Sequence, residues 1–120
     1  MNRRSRAALV TAVAVVALGA SAAAEARTYH GTVGPGRVIT LTNARGARVA
    51  RVPAGRHTFL IHDLSSTHNF VLARGGTIVR RTGVSAIGVF TWRRVRISRG
   101  TYSFYCATHR RQMHGSFRAA

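Results

Sequence analysis

Four side chains that commonly bind soft metals occur in two short segments of this chain. Near the C-terminus, Cys106 is followed by His109 and then by Met113. A further histidine, His68, lies well upstream of the cysteine. One thiolate, two imidazoles and one thioether form a donor set that suits a single copper ion cycling between Cu(I) and Cu(II). The residue types and their spacing therefore predict a mononuclear copper centre for one-electron transfer.

The beginning of the chain has the three parts of a secretory signal peptide. Three arginines among the first eight residues precede an apolar run at residues 9–20, and Ala-x-Ala sequences follow, ending at residues 24 and 26. The apolar run is shorter than the ~20 residues that a membrane-spanning helix needs, although an uncleaved anchor and a core helix are the alternatives. We predict a signal peptide at 1–26 and a single domain at 27–120. The protein would then be exported to the periplasm, the cell surface or the medium.

The cysteine count agrees with this location. A single cysteine cannot form an internal disulfide, and in an oxidising compartment a lone thiol needs protection by burial or by a metal. This consideration favours Cys106 as a metal ligand over a free thiol. A buried structural cysteine is the alternative.

Arginine dominates the charge of the chain. Nineteen basic residues, all arginine, accompany two acidic residues, for a formal net charge of +17. Beyond residue 26, 16 arginines remain against one carboxylate, Asp63. Such a field attracts anionic partners, so for an exported monomer we expect an acidic redox partner, or an anionic membrane or cell-wall surface, and no nucleic acid. A solvated basic surface without a partner is the alternative.

Short segments with period-two alternation, separated by glycine-containing turns, follow residue 27. About eight such segments predict an all-β fold, an antiparallel β-sandwich. The apolar phase changes near Arg93 and Arg94, which indicates a β-bulge. Within this pattern Cys106 is in phase with Phe104, and His68 heads a strand in phase with Phe70, so both face inward. The predicted strands span residues 28–33, 37–43, 47–52, 58–63, 68–73, 89–97, 101–106 and 115–119.

These segments together resemble the small blue copper proteins, or cupredoxins. The resemblance covers essentially the whole domain and is strongest in two places. Residues 63–70 contain His-Asn-Phe, and residues 100–117 contain Gly-Thr-Tyr followed by Cys-x-x-His-x-x-x-Met. The resemblance implies an antiparallel Greek-key β-sandwich that binds one copper ion and carries single electrons, and it implies a carrier and not an enzyme.

The resemblance also implies a role for each site residue. His68, Cys106 and His109 would form a trigonal ligand plane around copper, and Met113 would be a weak axial ligand that tunes the potential. Asn69 matches an asparagine that ties the first histidine's segment to the cysteine loop, and such outer bonds fix the orientation of ligands. A core methionine without a metal role is the alternative for Met113.

Two features of the ligand loop depart from the family pattern. The family usually has a hydroxyl residue directly after the cysteine and often has proline before the second histidine, whereas this chain has Ala107 and Thr108. The tie to Asn69 must then use the backbone, or Thr108 instead. Arg110 and Arg111 add positive charge to the same loop, which favours Cu(I) and raises the potential.

The remaining titratable residues have simpler interpretations. His114 is either a surface residue or an alternative axial ligand, and Asp63 is expected to cap a turn because carboxylates do not suit a soft copper site. Three other histidines are expected on the surface: His30, His57 and His62. Two further functions stay open beside electron transfer, which are copper delivery without a redox role and a metal-free interaction domain.

Overall fold

The computed structural model describes residues 25–120, together with residues 11 and 12. The predicted signal peptide at 1–26 therefore lies almost entirely outside the described residues. No helix in this described part has the length and apolar character needed to cross a bilayer.

Nine β-strands arranged in two sheets form the domain. The first sheet has the strand order β2-β1-β4-β7, and the second has the order β3-β9-β8-β5-β6. The all-β sandwich predicted from the alternating segments is confirmed. The strands are β1 Thr28–Val33, β2 Ile39–Thr42, β3 Arg51–Val52, β4 Gly55–Asp63, β5 Val71–Arg74, β6 Thr77–Arg81, β7 Gly88–Ile97, β8 Gly100–Tyr105 and β9 His114–Ala119.

Two strand pairs interrupt an otherwise antiparallel arrangement. Strand β1 runs parallel to β4, and β3 runs parallel to β9. The chain forms the β1–β2 hairpin, contributes β3 to the other sheet, and then returns as β4 on the free side of β1. Because the return crosses between sheets, β4 runs in the same direction as β1.

An aromatic layer fills the space between the sheets. Along β4 the inward positions alternate regularly and include Phe59 and Ile61, which are fully buried. The Phe70 ring stacks on the Phe104 ring with centroids 5.5 Å apart, and it meets Trp92 edge-on at 6.1 Å. This layer holds β8, which precedes the cysteine loop, against the segment that follows the first candidate histidine.

The predicted β-bulge is present where β4 and β7 pair. Their register shifts between His57 and Phe59, so that one residue of β4 lies opposite Arg93 and Arg94 of β7. Arg94 has a φ of 51°, in the left-handed region where bulge residues are often found. The extra residue reverses the inward parity of β7, and both arginines remain exposed.

The strand predicted to begin at His68 begins instead at Val71. The backbone N–H of Phe70 donates to the hydroxyl of Thr82 at 2.9 Å, and the backbone N–H of Thr82 donates to the carbonyl of Phe70 at 3.0 Å. The Thr82 hydroxyl thus accepts the hydrogen bond from Phe70 N–H that the carbonyl of a neighbouring strand would otherwise accept. His68 consequently lies in the loop between β4 and β5, close to its end.

Candidate metal centre

The loop between β8 and β9 is closed by its own backbone. Cys106 N–H donates to the Met113 carbonyl at 3.1 Å, which extends the β8–β9 hairpin by one more bond. Within the loop, His109 N–H donates to the Cys106 carbonyl at 3.2 Å, and Met113 N–H donates to the His109 carbonyl at 2.8 Å. Cys106 and Met113 are therefore held at the buried base of the loop, and His109 is held at its half-exposed turn.

Three candidate ligand atoms converge where this loop meets the loop that carries His68. The sulfur of Cys106 and one ring nitrogen of each of His68 and His109 all lie within 4.8 Å of one another. The sulfur is 3.7 Å from His68 Nδ1. The two imidazole rings have centroids 4.7 Å apart and are steeply inclined, at 73°.

The spacing and chemistry of these three donors fit one copper ion. A sulfur and a nitrogen bonded to one metal at about 2.3 and 2.0 Å in a trigonal plane would lie about 3.7 Å apart. The distance from Cys106 Sγ to His68 Nδ1 has this value. Thiolate and imidazole are donors that copper prefers, and both Cys106 and His68 are buried away from water.

Thr108 organises the sulfur. Its hydroxyl lies 3.3 Å from Cys106 Sγ and 3.0 Å from His109 Nδ1. Burial raises the pKa of the Cys106 thiol, but hydrogen bonds from Thr108 and from the backbone at Asn69, Thr108 and His109 outweigh it, so the pKa is lowered. The metal-binding thiolate is thereby favoured. From the sequence, Thr108 is expected only as a partner for Asn69, because its contact with the sulfur depends on the fold of the loop.

The second histidine is also kept in its metal-binding form. Partial burial, the positive charge of Arg37 and the nearby His68 ring together lower the pKa of His109. A neutral imidazole is the form that binds a metal. Arg37 belongs to the turn between β1 and β2, so this influence connects parts of the chain that are far apart in sequence.

Asn69 ties the two ligand loops together through the backbone. Its Oδ1 accepts a hydrogen bond from Ala107 N–H at 2.8 Å, and its Nδ2 donates to the Thr82 carbonyl at 3.0 Å. Asn69 is itself buried. Because Ala107 has no hydroxyl, Asn69 is expected to bond either to the backbone of the cysteine loop or to Thr108. The structure has the bond to the backbone.

Met113 is buried whereas the next residue, His114, is exposed, in line with the alternation of buried and exposed side chains along β9. Met113 is fully buried and belongs to the same core cluster as Cys106. His114 is exposed, in phase with the exposed Ser116 and out of phase with the buried Phe117. Met113 has the burial that a donor directed into the site requires, and His114 does not.

Asp63 has the capping role that the sequence predicts, since its Oδ1 accepts the N–H of Ser65 at 3.1 Å. It is also fully buried, which raises its pKa, and its Oδ2 has no partner among the described residues.

The prediction that His57 lies on the surface is wrong. His57 is buried because Nδ1 accepts the N–H of Arg27 at 3.0 Å and Nε2 bonds to the Pro53 carbonyl at 2.6 Å.

Comparison with solved structures identifies the architecture. Auracyanin A, described as a blue copper protein from the green thermophilic photosynthetic bacterium Chloroflexus aurantiacus, matches with a TM-score of 0.55 and 15% identity over 78% of this chain and 98% of its own. Auracyanin from Roseiflexus castenholzii matches with a TM-score of 0.54 and 20% identity over 79% and 98%. Rusticyanin from Thiobacillus ferrooxidans matches with a TM-score of 0.51 and 20% identity over 78% of each chain. The chain therefore has the cupredoxin fold.

No protein-family model matches the chain, and no curated protein matches it.

We predict that Asn69→Ala loosens the metal centre. The change removes the link between the two loops, so copper affinity should fall about 10–100-fold. The free energy of unfolding should fall by about 1–3 kcal/mol, because the Thr82 carbonyl loses its buried partner. Competition with a copper chelator and chemical denaturation measure the two effects.

A matched control is Asn43→Ala. Asn43 Oδ1 also accepts two backbone N–H groups, from Arg45 at 2.9 Å and from Ala47 at 3.0 Å, but in an exposed turn. This variant should retain the parent's copper affinity. Equal losses of copper affinity in both asparagine variants would show that Asn69 has no specific role at the site.

Proposed function

We propose that residues 27–120 are an exported protein that binds one copper ion through His68, Cys106, His109 and Met113 and carries single electrons. The observation that carries the proposal is the convergence of one thiolate and two imidazole donors within 4.8 Å. The fold shared with auracyanin, which is described as a blue copper protein, supports the same function. The leader-like sequence of residues 1–26 supports export.

Copper bound at these donors would supply a one-electron couple between Cu(I) and Cu(II). The residues of the chain keep the donors in place in both oxidation states, because the base of the loop is hydrogen-bonded to the β8–β9 hairpin. Burial of Cys106 and His68 keeps water from the sulfur and from one imidazole. The half-exposed His109 is the donor through which an electron would reach a partner.

The surroundings of His109 favour an acidic partner with some apolar surface. Arg110 lies over the Tyr105 ring at 4.3 Å from its centroid, and Arg111 is exposed beside it. Two aliphatic side chains on loops that follow β1 and β4, Val38 and Leu64, are 51% and 55% exposed. Positive charge would accelerate the encounter and apolar contact would exclude water from it.

Copper delivery is less well supported by the same geometry. Passing the metal itself to another protein requires ligands that a partner can reach and replace. Cys106 and Met113 are fully buried, so this site is better suited to retaining the ion.

We predict an intense visible absorption band, from thiolate-to-copper charge transfer, when one equivalent of Cu(II) is added to the purified protein. Cys106→Ser should lose this band, because an alcohol is a poor donor to a soft copper centre. His114→Gln is the control and should keep the band. Absence of the band from the parent protein, or its persistence in Cys106→Ser, would contradict the proposed site.

Met113 should tune the copper rather than retain it. Axial thioether bonds are long and weak, so the three other donors should hold the metal without it. Met113→Gln should keep one copper per chain and have a lower reduction potential, measured by voltammetry. Met113→Leu, which preserves apolar packing but lacks a donor, separates ligation from packing. Identical potentials in the parent and in both variants would show that Met113 is not a ligand.

The arginines of the ligand loop should accelerate reaction with anionic partners. Arg110→Glu combined with Arg111→Glu should lower the rate of electron transfer to an anionic acceptor at low ionic strength by about tenfold or more, with the copper absorption unchanged. The difference should shrink at physiological salt, where charges are screened beyond about 8 Å. Stopped-flow kinetics measures both.

The control for this charge reversal is Arg45→Glu combined with Arg48→Glu. It changes the net charge equally but lies after β2, at the other end of the sandwich from the ligand loop. If the two double variants react at the same rate, net charge and not the position of Arg110 and Arg111 determines the encounter.

A further inference from the structure

A second pair of histidines lies on the outer face of the first sheet. His30 of β1 and His62 of β4 are half-buried, and Nδ1 of His30 is 3.3 Å from Nε2 of His62. Their rings are nearly parallel, with centroids 5.6 Å apart and an angle of 20°. Parallel pairing places His30 beside Leu60 and His62 beside Thr32, so the two histidines are diagonal neighbours on adjacent strands.

The strand positions directly beside this pair carry no charged side chain. Two rows of paired residues cross the four strands of the sheet, and each row contains one of the histidines. Their other members are threonines and aliphatic residues, although the domain has 16 arginines. The rows are Thr42, His30, Leu60 and Thr91, and Thr40, Thr32, His62 and Val89. The first charged residue along either row is Arg48, which bridges to Thr42 at the edge of the sheet.

The two nitrogens are close enough to share one metal ion. Two imidazole nitrogens bound at about 2.0–2.1 Å to one metal lie about 3.3–3.4 Å apart in tetrahedral directions and about 2.8–3.0 Å apart at the right angle of a tetragonal site. The contact between His30 and His62 is 3.3 Å, so a tetragonal ion requires the two nitrogens to approach each other by about 0.3–0.5 Å. When the proton of each neutral ring is on its other nitrogen, Nε2 of His30 and Nδ1 of His62, the two nearby nitrogens both have lone pairs free for a metal.

We propose that His30 and His62 form a second metal site, one that binds Cu(II) with water completing the coordination. Imidazole suits divalent late first-row ions, and Cu(II) binds most strongly among them to a given set of nitrogen and oxygen donors. The pair has no thiolate and is accessible to water. Its copper would therefore have the tetragonal nitrogen and oxygen environment that is typical of Cu(II).

The net charge of the protein does not prevent this binding. Exposed arginines repel a cation, but salt screens exposed charges beyond about 8–10 Å at physiological ionic strength. The nearest positions along each row are threonine, leucine and valine. The local environment of the pair is therefore neutral although the domain as a whole is strongly basic.

The test is a Cu(II) titration of the protein that already holds one equivalent. We expect a second equivalent to bind, with the electron paramagnetic resonance signal of tetragonal Cu(II) and no increase in thiolate-to-copper absorption. Either His30→Gln or His62→Gln should weaken binding of this second equivalent about 100-fold, because the metal loses the second imidazole donor that is held close to the first. The absorption of the first equivalent should not change in either variant.

The matched control is His114→Gln, which removes an exposed histidine from the other sheet and should leave the second equivalent bound. Failure of the parent to bind a second equivalent would overturn the proposal. Retention of that equivalent at the parent's affinity in both His30→Gln and His62→Gln would overturn it as well. The readout is independent of Cys106, so absence of the thiolate band would count against the first site and not against this one.

Discussion

The metal centre depends on the position of two loops relative to each other, and the side-chain amide of Asn69 fixes that position. Asn69 accepts the N–H of Ala107 and donates to the carbonyl of Thr82, so it joins the loop of His68, the loop of Cys106 and the end of β6 at one buried point. A metal site requires donors within a few tenths of an ångström of their working positions. Two unlinked loops would not meet that requirement, whereas a buried amide with both groups bonded restricts them together.

The distribution of charge imposes a second constraint. Every arginine from Arg27 to Arg118 is exposed, whereas the single carboxylate of the domain, Asp63, is fully buried. Asp63 ends β4 and bonds to the backbone of Ser65, so it shapes the beginning of the loop that carries His68. The arginine charge of the domain therefore lies entirely on its surface, while its one carboxylate is held in the interior near the loop of His68.

Local patterns in the sequence account for most of the strands and for the meeting of three candidate ligands. Period-two alternation located the strands, and a change of phase located the bulge at Arg93 and Arg94. The errors come from contacts between distant residues. The start of β5 is delayed because the Thr82 hydroxyl binds a backbone N–H 12 residues earlier, and His57 is buried because it meets Arg27. No local pattern encodes such contacts, nor the crossover that makes β1 parallel to β4.

The two histidine pairs of this domain differ in their third donor and in their access to water. His68 and His109 share their site with the buried sulfur of Cys106, a soft donor that would stabilise Cu(I) and so permit the proposed one-electron cycle. His30 and His62 are supported by a sheet ladder among hydroxyl and aliphatic side chains and have no sulfur nearby along either row. A copper ion held there would favour the divalent state. The proposed carrier site between the loops and the proposed Cu(II) site on the sheet would thus differ in oxidation state, because this depends on the softness of the donors and not on the number of histidines.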